Sequence, residues 1–227
     1  MNELKNLLFS EGANLVGFAN LNGINNEMPY GVCVAVKLSP ELITSIHDGP
    51  NMFYFDEYHR INELLNKIVT KGTEYLTKNG FKAFAQTTTA VIQNENLETG
   101  LPHKTIGTRS GLGWIGKSGL LVTNEYGSGI RISSFLTNAV LNCDEPINES
   151  YCGDCVECVK YCPGDAISGK PWNVKTERSE LIDVKKCFKT AQALSIEKMN
   201  KTIRLCGKCF EVCPYTLQYT RKHNVKK

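Results

Sequence analysis

Eight of the chain's ten cysteines lie between Cys152 and Cys213, and their spacing leaves few options for what that stretch can become. The first group, "YCGDCVECVKYCPGDAIS", runs C-x2-C-x2-C-x3-C with proline directly after the fourth cysteine. The second, "LCGKCFEVCPY", runs C-x2-C-x3-C and again ends on proline, with Cys187 between the two groups. The C-x2-C-x2-C-x3-C-P run is the bacterial ferredoxin pattern, in which the fourth cysteine serves the other of two clusters. A short loop wraps three thiolates round one face of a cubane, and the next cysteine, one helical turn on, points away. This assigns Cys152, Cys155, Cys158 and Cys213 to a first [4Fe–4S] cluster. Cys162, Cys187, Cys206 and Cys209 go to a second. Zinc also uses C-x2-C pairs, but two C-P endings and a total of eight fit two clusters better. Cys33 reads as a small buried hydrophobe in a strand, and Cys143 as a free thiol.

Composition bounds the rest. A chain of 227 residues holds one large domain, or a domain and a small module. Its net charge of +3 is too small to argue for a nucleic-acid partner. No apolar run approaches the roughly 18–20 residues of a membrane span. The start, "MNELKNLLFSEGANL", has the pattern of an amphipathic helix and not of a signal peptide. A cytoplasmic protein is expected, where clustered cysteines mean metal or redox chemistry and not structural disulfides.

The pattern along the chain predicts an α/β domain followed by a cluster module. Residues 1–9 read as helix, 14–19 and 31–38 as strands, and Asp56 to Asn79 as the clearest helix, stopped by Gly80. Residues 81–88 read as a strand, 92–103 as a loop, and 119–123 and 132–141 as strands. The polar run "NCDEPINES" marks a boundary. The expected division is 1–145 for the α/β domain, 146–216 for the double-cluster module and 217–227 for a basic, solvated tail.

The stretch "SGLGWIGKSGLLV" matches two phosphate-binding patterns by letter. Gly111-x-Gly113-x-x-Gly116 is the dinucleotide fingerprint, and Gly111-x4-Gly116-Lys117-Ser118 is the P-loop. Both require a strand before and a helix after. Here a polar, helix-like stretch precedes and a strand follows, which argues against phosphate. What remains is a loop where backbone closely approaches something, with Trp114 as a flat apolar surface; the plainer reading is a tight turn with a core tryptophan.

"GLGWIGKSGLLVTNEYGSGIRISSFLTNAVL", followed by the eight cysteines, resembles the epoxyqueuosine reductase family and, more distantly, the corrinoid reductive dehalogenases. The resemblance covers about residues 50–215. It implies an α+β architecture: a nitroreductase-like α/β domain that holds cobalamin, followed by a two-cluster bacterial-ferredoxin-like module. It also implies electron flow through both clusters to cobalt and then to substrate. Gly111, Gly113, Trp114, Gly116, Lys117 and Arg131 would lie near the corrinoid. Glu57, Tyr58 and His59 match a family Asp-Tyr-His segment, which makes Tyr58 and His59 catalytic candidates. Gln86 falls where the family carries its catalytic aspartate, and glutamine cannot donate a proton as a carboxylic acid can. "PHKTIGTRSGLGWIGKSG", with His103, Lys104 and Thr105, is similar to short members. The chain is expected to be such a short relative, without the family's C-terminal helical-repeat domain and hence with tRNA an improbable partner. The expected function is an iron–sulfur, cobalamin-dependent reductase of an unidentified substrate, fed by a donor such as ferredoxin or flavodoxin. The alternatives are a ferredoxin-like electron carrier or a protein that reduces and delivers corrinoid, with a flavin as the alternative cofactor.

Overall fold

The structure is a computed structural model that describes residues 2–224. In chain order the elements are α1 (Asn2–Ser10), β1 (Leu15–Asn20), β2 (Tyr30–Lys37), α2 (Pro40–Ser45), α3 (Met52–Lys78), β3 (Ala83–Gln86), α4 (His103–Arg109), β4 (Trp114–Ile115), β5 (Leu121–Val122), β6 (Ile130–Thr137), α5 (Glu157–Lys160), α6 (Arg178–Leu181), α7 (Val184–Met199), α8 (Lys208–Glu211) and α9 (Pro214–Asn224). They form two compact units that do not follow a single cut in the chain. Unit 1 comprises Met1–Lys37, Arg60–Gly113 and Arg131–Asn148; unit 2 comprises Leu38–His59, Trp114–Ile130 and Glu149–Lys227. A linear boundary near residue 145 therefore misses two insertions, 38–59 and 114–130, that pack with the cysteine-rich part.

Unit 1 is built on a four-stranded sheet of order β1-β2-β6-β3. β1 and β2 pair antiparallel with Gly17 opposite Cys33, and β3 and β6 pair antiparallel with Gln86 opposite Ser134. Residues Gly31 to Val36 are buried without alternation, so β2 is covered on both faces. Ile61, Leu65, Ile68, Val69 and Leu76 are the buried residues of a helical stripe on α3. Gly72 lets that helix close on the sheet: a Cβ there would lie 2.7 Å from the Phe135 ring. Gly80, at φ +85°, ends the run as expected. The predicted strand 132–141 is shorter at its end. Asn138 Oδ1 takes the Lys82 amide and Thr137 Oγ1 takes the Ala139 amide, so side chains replace the ladder after Thr137.

Unit 2 gathers short elements. β4 and β5 form an antiparallel hairpin, and the strand expected over 119–123 is reduced to Leu121–Val122 because Gly119 turns at φ +72°. Asp183 caps α7 through the Lys186 amide, and Asn200 ends it in the left-handed region. The expected tail is instead helix α9 as far as Asn224, with 225–227 outside the described residues. That helix is anchored. Thr216 is buried and accepts from the Ser128 amide, while the Tyr219 hydroxyl donates to the Leu38 carbonyl at 2.9 Å.

Candidate iron–sulfur centre

Short helices set the thiols. α5 carries Cys158, α8 carries Cys209, the first turn of α7 carries Cys187, and Cys213 stands directly before α9. None of the ten cysteines is in a disulfide. The Cys158 thiol is pushed up to about 11, first by burial and then by its neighbours Cys152, Cys213 and Cys155. Burial also raises Cys187, next to Cys206 and Cys162, and Cys206, next to Cys162. Cys209 is half-buried. Its thiol is raised by burial, then by Cys206, Cys187, Cys158 and Cys162, so it borders both groups. Cys158 thus neighbours Cys152, Cys155 and Cys213, while Cys187 and Cys206 neighbour Cys162. The Ala166 amide donates to Cys162 Sγ at 3.3 Å, the kind of bond that steadies a thiolate ligand.

A cavity of about 90 Å³ is lined by Cys152, Cys155, Cys158, Cys209 and Cys213, together with residues of the β4–β5 hairpin. Among the described residues no three His, Cys, Asp or Glu side chains stand close enough to hold a single metal ion. A cubane instead asks four thiols to ring a wider space. Burial opposes the thiolate that a ligand must become, and bound iron supplies the opposing charge. The donor set thus fits clusters.

The glycine-loop residues belong to this cavity. Lys117 is buried, and its Nζ donates to the carbonyls of Gly153 at 2.7 Å and Cys155 at 3.0 Å. A Cβ on Gly116 would stand 3.5 Å from Cys152 Sγ and collide with Val122. Trp114 is fully buried between Tyr151 and Tyr215, with ring centroids 5.0 and 4.9 Å away. The close approach read from sequence is therefore to a cysteine loop. The other residues expected near a corrinoid are in unit 1. Gly111, at φ +67°, lies where a Cβ would meet the Glu145 carbonyl at 2.7 Å, Gly113 is buried, and Arg131 Nε donates to Asn62 at 2.9 Å.

The catalytic candidates are divided too. Tyr58 and His59 are in unit 2, where His59 is exposed and its ring is 4.6 Å from that of Phe55. Gln86 is buried in unit 1, inside a chain of hydrogen bonds. Its Nε2 donates to the Leu101 carbonyl at 3.0 Å, which fixes the amide's orientation. Its Oε1 accepts from the Ser134 hydroxyl at 2.5 Å. Ser134 has one proton and has given it, so His103 Nδ1, 2.7 Å from Ser134 Oγ, is the donor of the next bond. Burial first, and then the Arg131 charge, pull His103 down to about 4. His103 is thus a neutral imidazole held as the Nδ1–H tautomer, its Nε2 carrying the lone pair. Sequence reasoning saw Gln86 but not its partners. The link is a cross-strand pairing 48 residues apart, which no local pattern displays.

Residues 151–216 match the 4Fe-4S double cluster binding domain. An epoxyqueuosine reductase of Atelocyanobacterium thalassa is 28% identical over 179 residues, 75% of this chain and 52% of the relative. One from Listeria monocytogenes is 34% identical over 111 residues, 48% of this chain and 28% of the relative. The chain thus spans about half or less of the curated relatives' length. Among solved structures, a catabolic reductive dehalogenase in complex with 3-bromo-4-hydroxybenzoic acid superposes at TM-score 0.75 with 18% identity, over 98% of this chain and 33% of that one. Epoxyqueuosine reductase with a modified tRNA-Tyr stem loop superposes at 0.63 with 17% identity, over 95% and 65%. The fold is the α+β one expected, with a double-cluster ferredoxin-like part, and the chain is similar to epoxyqueuosine reductases. No helix among the described residues is long and apolar enough to cross a membrane.

Proposed function

We propose that this chain is an iron–sulfur oxidoreductase that passes electrons one at a time through two [4Fe–4S] clusters to reduce a substrate, with a cobalamin, when bound, supplying the reducing centre. The observation that carries the reading is the eight half-buried thiols, none in a disulfide, within a matched double-cluster domain. Cys152, Cys155, Cys158 and Cys213 would hold the first cluster, and Cys162, Cys187, Cys206 and Cys209 the second. Each cluster supplies one-electron storage, and the protein's share is burial, amide donors to sulfur and the placement of Lys117.

Support for cobalamin comes from the fold neighbours, one of them described with a mechanism for B12-dependent dehalogenation. The residues named for it by resemblance also have partners within the chain. Trp114, Gly116 and Lys117 are engaged at the first cysteine group, and the Glu145 carbonyl closes on Gly111. One fold neighbour binds an epoxyqueuosine-modified tRNA stem loop, so the expectation against tRNA is withdrawn and tRNA belongs among the substrates to try.

The test is anaerobic reconstitution of the clusters followed by titration with cob(II)alamin under EPR. A cobalt signal that changes and saturates near one equivalent supports the reading. An unchanged signal removes the corrinoid and leaves electron transfer, to a flavin or to a partner protein, as the role of the clusters.

A further inference from the structure

The charge of this chain is not spread evenly. Residues 184–208 contain seven Lys or Arg and a single acid, Glu197, a net +6 against +3 for the whole chain. The remaining residues together are therefore net negative. The segment begins three residues before Cys187 and ends next to Cys209, so three of the four thiols assigned to the second cluster lie in it or at its edge. Lys198 is neutralised by Glu197 and Lys208 by Glu211. Lys185, Lys186, Lys189, Lys201 and Arg204 are exposed. Among the described residues, the first three have no carboxylate within 4.0 Å.

The fold brings four of these cations together, while Lys201 lies over the Phe55 ring. Lys185, Lys186 and Lys189 occupy the first turns of α7, on either side of Cys187. Arg204 comes from the loop before Cys206, and its guanidinium lies 4.7 Å over the ring of Phe188, the residue after Cys187. Tyr161, directly before Cys162, is 54% exposed, with Lys208 Nζ 5.8 Å from its ring. The result is an exposed aromatic residue and a group of unneutralised cations, all adjacent in the chain to thiols of one cluster.

We propose that this face is where electrons enter, by docking of a small acidic one-electron carrier protein. The inference rests on the electron flow proposed above and adds its point of entry. Electron-transfer encounters are small, transient and steered by opposite charge, which raises the association rate more than the affinity. Like charges gathered within a short span suit such a partner. A nucleic acid, with a phosphate every few ångströms, would favour cations strung along a longer track.

The test is stopped-flow reduction of the reconstituted protein by photoreduced flavodoxin, comparing wild type with Lys185→Glu/Lys186→Glu/Lys189→Glu at 20 and 200 mM salt. Photoreduced 5-deazariboflavin, small and uncharged at its ring, is the control reductant. The expected result is a tenfold or larger loss of the flavodoxin rate at low salt, a gap that closes at high salt, and equal rates with the deazaflavin. The triple Lys→Gln variant should show a smaller loss. Equal flavodoxin rates in wild type and both variants overturn the docking face. So does a variant that keeps its flavodoxin rate but loses binding of a tRNA stem loop, which would mark a nucleic-acid face. Clusters that deazaflavin cannot reduce in the wild type would instead sink the proposed electron flow.

Discussion

The two units bury polar groups in opposite ways. In unit 1, Gln86, Ser134 and His103 complete one another, each donor with an acceptor, and the chain of bonds ends on a backbone carbonyl. Nothing outside the polypeptide is needed for those bonds. In unit 2, burial raises the thiols of Cys158, Cys187, Cys206 and Cys209, so these groups sit where their functional ionised form is disfavoured. The first arrangement is finished by folding, and the second only by iron. Stability in unit 2 is therefore tied to metal, because a ligand set that binds only when folded converts binding energy into folding energy.

The largest expected effect follows directly. Protein prepared without iron and sulfide should retain slow amide exchange in β1, β2 and β6 but lose protection across α5, α7 and α8. Hydrogen exchange read by mass spectrometry measures both at once. Equal protection of α5, α7 and α8 with and without clusters would erase the contrast between the units. A more local version replaces Cys209 by Ser. Because Cys209 borders both groups, this variant should lose the second cluster outright and broaden the EPR signal of the first.

The next effect belongs to unit 1 and acts through pH. His103 is held near 4 in the folded chain against about 6.5 when unfolded. Between those values the unfolded chain binds a proton that the folded chain refuses, so stability is intact above pH 6.5 and falls as pH drops towards 4. At 1.36 kcal/mol per unit the full loss is about 3 kcal/mol. Urea unfolding of wild type and His103→Asn between pH 4.5 and 7 should converge as the pH falls, and the difference between the two cancels acid damage to the clusters. Ser134→Ala should release the tautomer, visible as a changed pattern of imidazole ¹⁵N shifts. Curves that stay parallel would show that the imidazole is less enclosed than its bonds indicate.

Much of this was legible in the sequence. A double-cluster domain followed from cysteine spacing, because cubane ligation is local and its loops are short. The long helix and the strands of unit 1 followed from periodicity. What could not be read is what depends on distant pairing. Gln86 meets Ser134 across two strands, and the segments 38–59 and 114–130 join the cysteine-rich unit from inside the other. The glycine loop shows the limit most clearly. Its close backbone approach was foreseen from its glycines, but the cysteine loop 36 residues on that Lys117 reaches was not.

That loop also supplies the smallest effect, and it joins the two kinds of burial. Lys117 is a buried cation of unit 2, fixed on the carbonyls of Gly153 and Cys155 beside the first cysteine group. A positive charge there favours the more negative, reduced state of a bound cluster, and in a water-poor setting it is weakly screened. Lys117→Met should bind its full iron and yet hold about a tenfold lower ratio of reduced to oxidised first cluster at a fixed potential, about 59 mV for one electron. Lys117→Arg keeps the charge and should recover most of that ratio. The second cluster, whose cations are exposed and hydrated, should change little in either variant. Redox titration followed by EPR separates the two. If Lys117 merely ties down the loop, the methionine variant loses iron from the first site and the potential of what remains does not move. A shifted potential at full iron content is the outcome that only a buried charge produces.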